Sequence, residues 1–417
     1  MARQIKILVA GLGSRWTAYE SFVKKHPDDV KIVGLADANE NRLKDYASQF
    51  DVPPQACFAD ANEMFAAGIE ADGAVICTMD QLHYANAMCA MKNGYHLMLE
   101  KPVALSVQEC TGIRDYANEH QLHVVVCHVL RYTPFYQKIK EIIDSGEIGE
   151  VCTIQAMERV EYWHMAHSYV RGNWRRSADG SPMILAKACH DTDILLWLCG
   201  KKCKAVSSFG SLKHFNRAHQ PEGAAERCMA CKYVNDCPYS APKYYLTEAK
   251  KGNTSWPIDV VVKNPTVERL TEALKTSPFG RCVYACDNDV VDHQILNMWM
   301  EDDVAISFTM SSFNAKSGRM INVMATHGCI SADMGDNLIT LDVFGKKHEV
   351  IDVTKLSSEL NGHGGGDDRL FEDFITLLRD GPNKAKTLTD INRSVESHFI
   401  SLAAETSRLK GGEVVEL

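Results

Sequence analysis

Along the first third of the chain, short wholly apolar runs alternate with amphipathic stretches of helical period. IKILVAGLG (5–13) closes on Gly11 and Gly13, SRWTAYESFVKKH (14–26) has helical spacing, and VKIVGLAD (30–37) is a second apolar run ending on Asp37. ADGAVICT (71–78), YHLMLEKP (95–102) and LHVVVCHVLRY (122–132) repeat the apolar type, and QLHYANAMCAMKNG (81–94) and SVQECTGIRDYANEHQ (106–121) lie between them. Apolar runs without a polar alternation belong to strands buried on both faces. Repeated strand–helix units predict a doubly wound parallel sheet. From about Val151 the pattern changes. VCTIQAMERVEY (151–162) and ILNMWMEDDVAISFTMSSF (295–313) are β-rich, and MILAKACHDTDILLWL (183–198) is helical with Gly200 as its stop. The division read from this is a dinucleotide-binding domain at 1–127 and a second α/β domain at 128–417, with an insertion at about 210–280 that has little core pattern of its own.

The first turn narrows the function. Strand, glycine turn, helix, strand and acid follow in order, with Asp37 lying 24 residues after Gly13. Glycines let a pyrophosphate approach the backbone at a helix N-terminus, and the acid accepts from an adenosine ribose. The third glycine of the usual fingerprint is replaced by Trp16. Ala38, not an arginine, follows Asp37, which favours NAD over NADP. Ligands of such sheets bind beyond the C-terminal strand ends. Thr78, Met79, Glu100, Lys101, Pro102 and His128 fall there, and Ser14, Arg15 and His83 flank the same turns.

Several motifs together resemble the Gfo/Idh/MocA family of oxidoreductases: VAGLGSR, GLADAN, ICTMDQLHYANAMCAMKNGYHLMLEKPVALS, HVLRYTPFYQKIKEIIDSGEIGEV and, in pieces, AKACHDTDILLWLCG and GHGGGD. The resemblance implies a Rossmann domain followed by an α/β domain with a large open, mostly antiparallel sheet. It implies NAD(H) or NADP(H), and a Lys101 that contacts both a substrate hydroxyl and the nicotinamide ribose. It implies a catalytic histidine at His190. The family's usual aspartate, four residues before that histidine, is Ala186 here, and Lys187 stands beside it. The catalytic set expected is therefore Lys101, His190 and Lys187, with Asp193 as a helix-anchoring acid.

Other polar clusters supply substrate candidates. His128, Arg131 and Tyr132 lie in HVLRY, and His164, His167, Tyr169, Arg171 and Trp174 crowd WHMAHSYVRGNWRR (163–176). That segment reads either as a sugar-recognition loop, aromatic faces stacking on rings and cations meeting hydroxyls, or as a merely polar surface loop. Asp289 and His293 have i, i+4 spacing, and His363 stands in a glycine-rich helix entry. Cys228, Cys231 and Cys237 form CxxC-x5-CP inside the insertion. A structural zinc completed by another cysteine or histidine, no metal at all, and an iron–sulfur site lacking the usual run are the three readings.

Bulk properties exclude other classes. The 417 residues are 45% hydrophobic and 24% charged with net charge −9, and there is no basic tract. A nucleic acid or anionic membrane partner is not expected. The 15 cysteines are odd in number and dispersed, which fits a reduced cytoplasmic protein. The function expected is NAD-dependent oxidation or reduction of a carbohydrate or glycoside hydroxyl, by a homo-oligomer (dimer or tetramer). An NAD-dependent glycosidase and a non-catalytic dinucleotide- or sugar-binding regulator are the alternatives.

Overall fold

The computed structural model describes residues 3–417, without the side chains of 361 and 362. Two sheets organise the chain. The first is parallel, in the order β3-β2-β1-β4-β5-β6: β1 (Ile5–Ala10), β2 (Val30–Ala36), β3 (Cys57–Phe58), β4 (Gly73–Ile76), β5 (His96–Leu99) and β6 (Val124–Val126). Its strands are short and almost wholly buried, as the unbroken apolar runs predict. The order reverses at β1/β4, so a crevice opens beyond their C-terminal ends.

The second sheet has nine strands in the order β14-β13-β12-β11-β7-β10-β9-β8-β15. These are β7 (Val151–Glu161), β8 (Cys203–Ser211), β9 (His293–Met300), β10 (Ala305–Asn314), β11 (Gly318–Ala325), β12 (Gly328–Asp333), β13 (Leu338–Val343), β14 (Lys347–Asp352) and β15 (Val415–Glu416). All neighbours are antiparallel except β7 and β10. Alternation is strict in β9 and β10, so one face is cored and the other open. Helix Cys189–Cys199 belongs to the core on this sheet through Ile194, Leu195 and Leu198.

Late segments return to the first sheet. Leu370, Phe371 and Phe374 of helix Gly366–Asp380 join the cluster of Ile7, Val9 and Trp16, and Ile391 and Val395 of helix Ile391–Leu409 join that of Leu97 and Val126. Two residues expected at the substrate tie these layers together instead. Arg131 donates to both oxygens of Asp193, at 2.7 and 2.6 Å, and to the Leu388 carbonyl at 2.9 Å. Tyr132 donates to Asp373 at 2.8 Å and accepts from the Leu388 amide. Both are buried, because a buried carboxylate demands a partner. Asp193 thus anchors its helix, as expected.

Breaking a buried pair from one side strands a charge, which costs about 3–5 kcal/mol. Arg131→Met is expected to lower the urea midpoint strongly, and adding Asp193→Leu to recover most of the loss. Equal midpoints for wild type and Arg131→Met would contradict the tie.

Candidate active site

The glycine turn has the shape a dinucleotide requires. Gly11 has φ of +85°, and a Cβ there would lie 2.5 Å from the Cys77 carbonyl. A Cβ at Gly13 would meet nothing nearer than Arg42 Nη1 at 3.8 Å. Helix Ser14–Lys25 begins without a side-chain cap, so its first amides face the crevice free to take an anion. Asp37 accepts from the Leu12 amide at 2.7 Å and the Asn39 amide at 2.8 Å. It is also paired with Arg42 at 3.1 Å. An arginine therefore does stand at this acid. It lies five residues downstream, on the first turn of the next helix, and is missed by inspecting only the residue after Asp37.

Arg15 and Glu100 do not lie open. Arg15 donates to Glu100 at 2.6 Å and to Asp367 at 2.8 Å, and Tyr19 donates to the same Glu100 oxygen at 2.6 Å. Burial raises the Glu100 carboxyl, but Arg15 and Lys101 prevail and hold it below the usual range. His83 bridges the Pro102 carbonyl at 2.6 Å and the Thr78 carbonyl at 3.0 Å. It clamps two strand ends together, and Thr78 donates to Asn86. Met79 immediately precedes the short helix Asp80–Leu82.

Lys101 leaves the end of β5 and donates its ammonium to the Ala186 carbonyl at 2.7 Å. Where the family pattern has an aspartate side chain, a backbone oxygen receives the lysine. One turn on lies His190, buried, with Nδ1 lacking any partner. Its ring stands 5.8 Å from those of His128 and His363. Burial lowers the His190 pKa well below the usual histidine range, and Lys101, His128, His363 and Arg319 push it the same way. These surroundings all favour the uncharged ring. His363 contacts Asp367 through Nδ1 at 2.9 Å, so it is linked to Arg15 as well.

Lys187 points to Glu158, Nζ lying 3.1 Å from Oε1. Arg319 lies between two acids. Its Nε is 2.9 Å from Glu158 Oε2 and donates to Asp191 Oδ1 at 2.8 Å. Burial raises Glu158, but Arg319 and Lys187 overcome it. Burial also raises Asp191, Arg319 opposing and Glu158 adding. Glu158 and Arg319 were not legible as site residues, because each sits on a long alternating strand where a charge reads as the solvent face. His164 adjoins this group. Burial lowers its pKa, with Lys187 the next cause.

The remaining candidates are placed elsewhere. His167 contacts the Tyr245 hydroxyl at 2.8 Å and stacks on Phe279 at 4.9 Å. Arg171 donates to the Arg281 and Tyr239 carbonyls, both at 2.8 Å. Both residues belong to the packing of the insertion, not to a substrate surface. Tyr169 is buried between His164 and Trp174. Trp174 donates to Asp80 at 3.2 Å and so ties its loop to the end of β4. Asp289 accepts from the Ser177 amide and hydroxyl, and His293 contacts Asp292 instead. The i, i+4 pair is thus split. The zinc expectation is corrected too. Thiolates on one tetrahedral zinc stand about 3.8 Å apart, and among the described residues no three His, Cys, Asp or Glu side chains gather around a single-ion position. What the insertion does bring is aromatic: Tyr244 stacks on Trp163 at 4.6 Å, and Trp256, 42% exposed, lies 5.1 Å from His164.

Residues 5–128 match the family model described as "Oxidoreductase family, NAD-binding Rossmann fold", and residues 136–233 match the "GFO/IDH/MocA C-terminal domain". The chain belongs to the Gfo/Idh/MocA family. YteT of Bacillus subtilis is 22% identical over 394 residues, 88% of each chain. Inositol 2-dehydrogenase of Azotobacter vinelandii is 28% identical over 171 residues, 40% of this chain and 46% of its own. Among solved structures, the WlbA dehydrogenase of Bordetella pertussis, in complex with NADH and UDP-GlcNAcA, superposes with TM-score 0.71 at 16% identity, covering 100% of this chain and 98% of its own. Scyllo-inositol dehydrogenase of Lactobacillus casei, with NAD(H) and scyllo-inositol, gives 0.66 at 16% identity, covering 99% of both. These likenesses establish the fold. The Gfo/Idh/MocA architecture accounts for the two sheets and the dinucleotide crevice.

Four buried rings, His128, His167, His190 and His398, have lowered pKa values, burial being the main cause in each. Unfolding frees them to bind protons below about 6.5, so stability is whole above that pH and falls below it, by about 1.4 kcal/mol per ring per pH unit. The melting temperature is expected to drop steeply from pH 7 to pH 5. A flat profile across that window would contradict neutral buried rings.

Proposed function

We propose that this protein is an NAD-dependent dehydrogenase acting on a carbinol of a sugar or glycoside. The observation that carries the reading is the meeting of Lys101 and His190 at the C-terminal edge of the parallel sheet, with His190 neutral and unpartnered. Gly11, Gly13 and the uncapped amides of helix Ser14–Lys25 would hold the dinucleotide, and Asp37 its ribose. When bound, that cofactor supplies the hydride acceptor or donor.

The chain's own residues do the rest. Lys101, held by the Ala186 carbonyl, is a donor to the substrate oxygen. The His190 ring takes the hydroxyl proton on oxidation and returns it on reduction. Lys187, Glu158 and Arg319 fix the charge around the pocket. Trp163 and Trp256 offer ring faces on which a sugar stacks. The relatives named as dehydrogenases favour net redox turnover over glycoside cleavage. The placing of a lysine and a histidine together at this edge favours an enzyme over a binding-only regulator. We also assign residues 1–127 and 128–417 to the two domains, the later helices packing back on the first. The exposed Phe209, Ile295 and Trp299 on the open face of the second sheet are where a second copy would pack, and a monomeric mass by light scattering would refute this. The described cysteines are all free, which suits the cytoplasm.

His190→Asn is expected to cut kcat about 100-fold or more in a sugar and polyol panel followed by reduced-nicotinamide absorbance, while NAD binding by fluorescence quenching is kept. Lys101→Ala is expected to lose as much. Activity unchanged in either variant would sink the mechanism. Trp163→Ala is expected to raise KM with little effect on kcat. Asp37→Ser is expected to move preference towards NADP, since it frees Arg42 to meet a 2′-phosphate.

A further inference from the structure

The insertion holds a cavity of about 220 Å³ lined by Cys228, Cys231, Cys237 and Cys282, with Arg171 at its wall. That is room for several waters, each needing about 30 Å³, yet the rest of the lining is mainly apolar, from residues such as Val234, Pro238 and Val283.

The backbone presents the four thiols deliberately. Cys228 opens a short 3-10 turn and Cys231 ends it, the Cys231 amide donating to the Cys228 carbonyl at 3.2 Å. The Cys237 amide is held by the Tyr233 carbonyl at 2.9 Å. Cys282 comes from 45 residues further on. It is set beside Cys228 by a bridge between Arg227 and Arg281, and its amide donates to the Glu226 carbonyl at 2.9 Å. Two turns and a two-stranded pairing thus converge on one space.

The charge around it is unbalanced. Arg171 is buried, and the acceptors found for its guanidinium are two carbonyls and the Cys228 sulfur at 3.5 Å. No carboxylate is among them. A buried cation calls for an anion, and cysteines bound to a metal as thiolates would supply it. A single zinc would draw four sulfurs to about 2.3 Å from one point and leave no void. All four cysteines line one space, and among the described residues no three ligand side chains form a single-ion site. Iron–sulfur clusters have the opposite requirement, four cysteines spread around a polynuclear core.

We infer that Cys228, Cys231, Cys237 and Cys282 hold an iron–sulfur cluster of the four-iron type, balanced by Arg171, which pins the insertion. The role is structural: the aromatic wall of Tyr244 and Trp256 hangs from the same insertion, which has only a small core of its own, around Tyr245, Leu270 and Leu274. Cys286, whose thiol donates to the Cys282 carbonyl at 3.3 Å, stands outside the ligand set.

The full chain, purified without oxygen after growth with added iron, is the material for the test. Expected are about four iron and four acid-labile sulfide per chain, visible sulfide-to-iron absorption, and iron–iron scattering in X-ray absorption of the wild type. Cys237→Ser and Cys282→Ser are expected to lose most of the iron, while Cys286→Ser and Cys203→Ser keep it. One zinc per chain, a disulfide among the four cysteines by mass, or a wild type with neither iron nor sulfide would each overturn the proposal. So would full iron retention in Cys282→Ser. The wild-type scattering decides the matter even if the serine variants fail to fold, and none of these readouts depends on dehydrogenase activity.

Discussion

A single guanidinium orders the edge of the parallel sheet that carries Lys101. Arg15 stands at the start of the first helix, yet it grips Glu100, 85 residues on, and Asp367, 352 residues on. Each acid has a site residue for a neighbour. Glu100 is followed directly by Lys101, and Asp367 carries the ring of His363. Taking these charges out of water is costly unless they satisfy one another, so the segments have little freedom to drift apart. The glycine turn, the end of β5 and the entry to helix Gly366–Asp380 are fixed as a unit before any ligand arrives.

On the far side of Lys101 the constraint is a backbone oxygen. Ala186 offers its carbonyl in place of a carboxylate. A carbonyl accepts the ammonium without adding a negative charge next to His190. That cation, His363 and Arg319 all disfavour an imidazolium. The consequence is a histidine whose charged form is disfavoured, and the negative charge missing at residue 186 reappears one layer away as Glu158 and Asp191 around Arg319 and Lys187.

The strand and helix order of the first sheet is legible in the sequence because both faces of its strands are buried, leaving unbroken apolar runs that few other structures produce. Lys101, His190 and the glycine turn are legible for the same reason: each ends such a run or interrupts an apolar helix. Arg131, Tyr132, His167 and Arg171 mislead, since a polar residue used to join two packed layers is written in the same letters as one that meets a sugar. What distinguishes them is the partner: Leu388 and Asp373 for the first pair, Tyr245 and Arg281 for the second, all 70 or more residues away. No local pattern contains that information. Arg42 and Arg319 were missed for the converse reason, since each lies on an element whose period alone assigns it to solvent.

The insertion and the catalytic edge are one mechanical system through the run Met165–Arg171, which winds as a π-helix. The wider turn sets His164 towards Lys187 and His363, His167 towards Tyr245, and Arg171 towards the cysteine cavity. From His164 to Arg171 the chain thus runs from the charged group around Lys187 to the core of the insertion. π-Helical turns are tolerated where such divergent contacts compensate their poorer packing. Anything that loosens the insertion is therefore felt first where Trp256 and Tyr244 pack on Trp163 and His164.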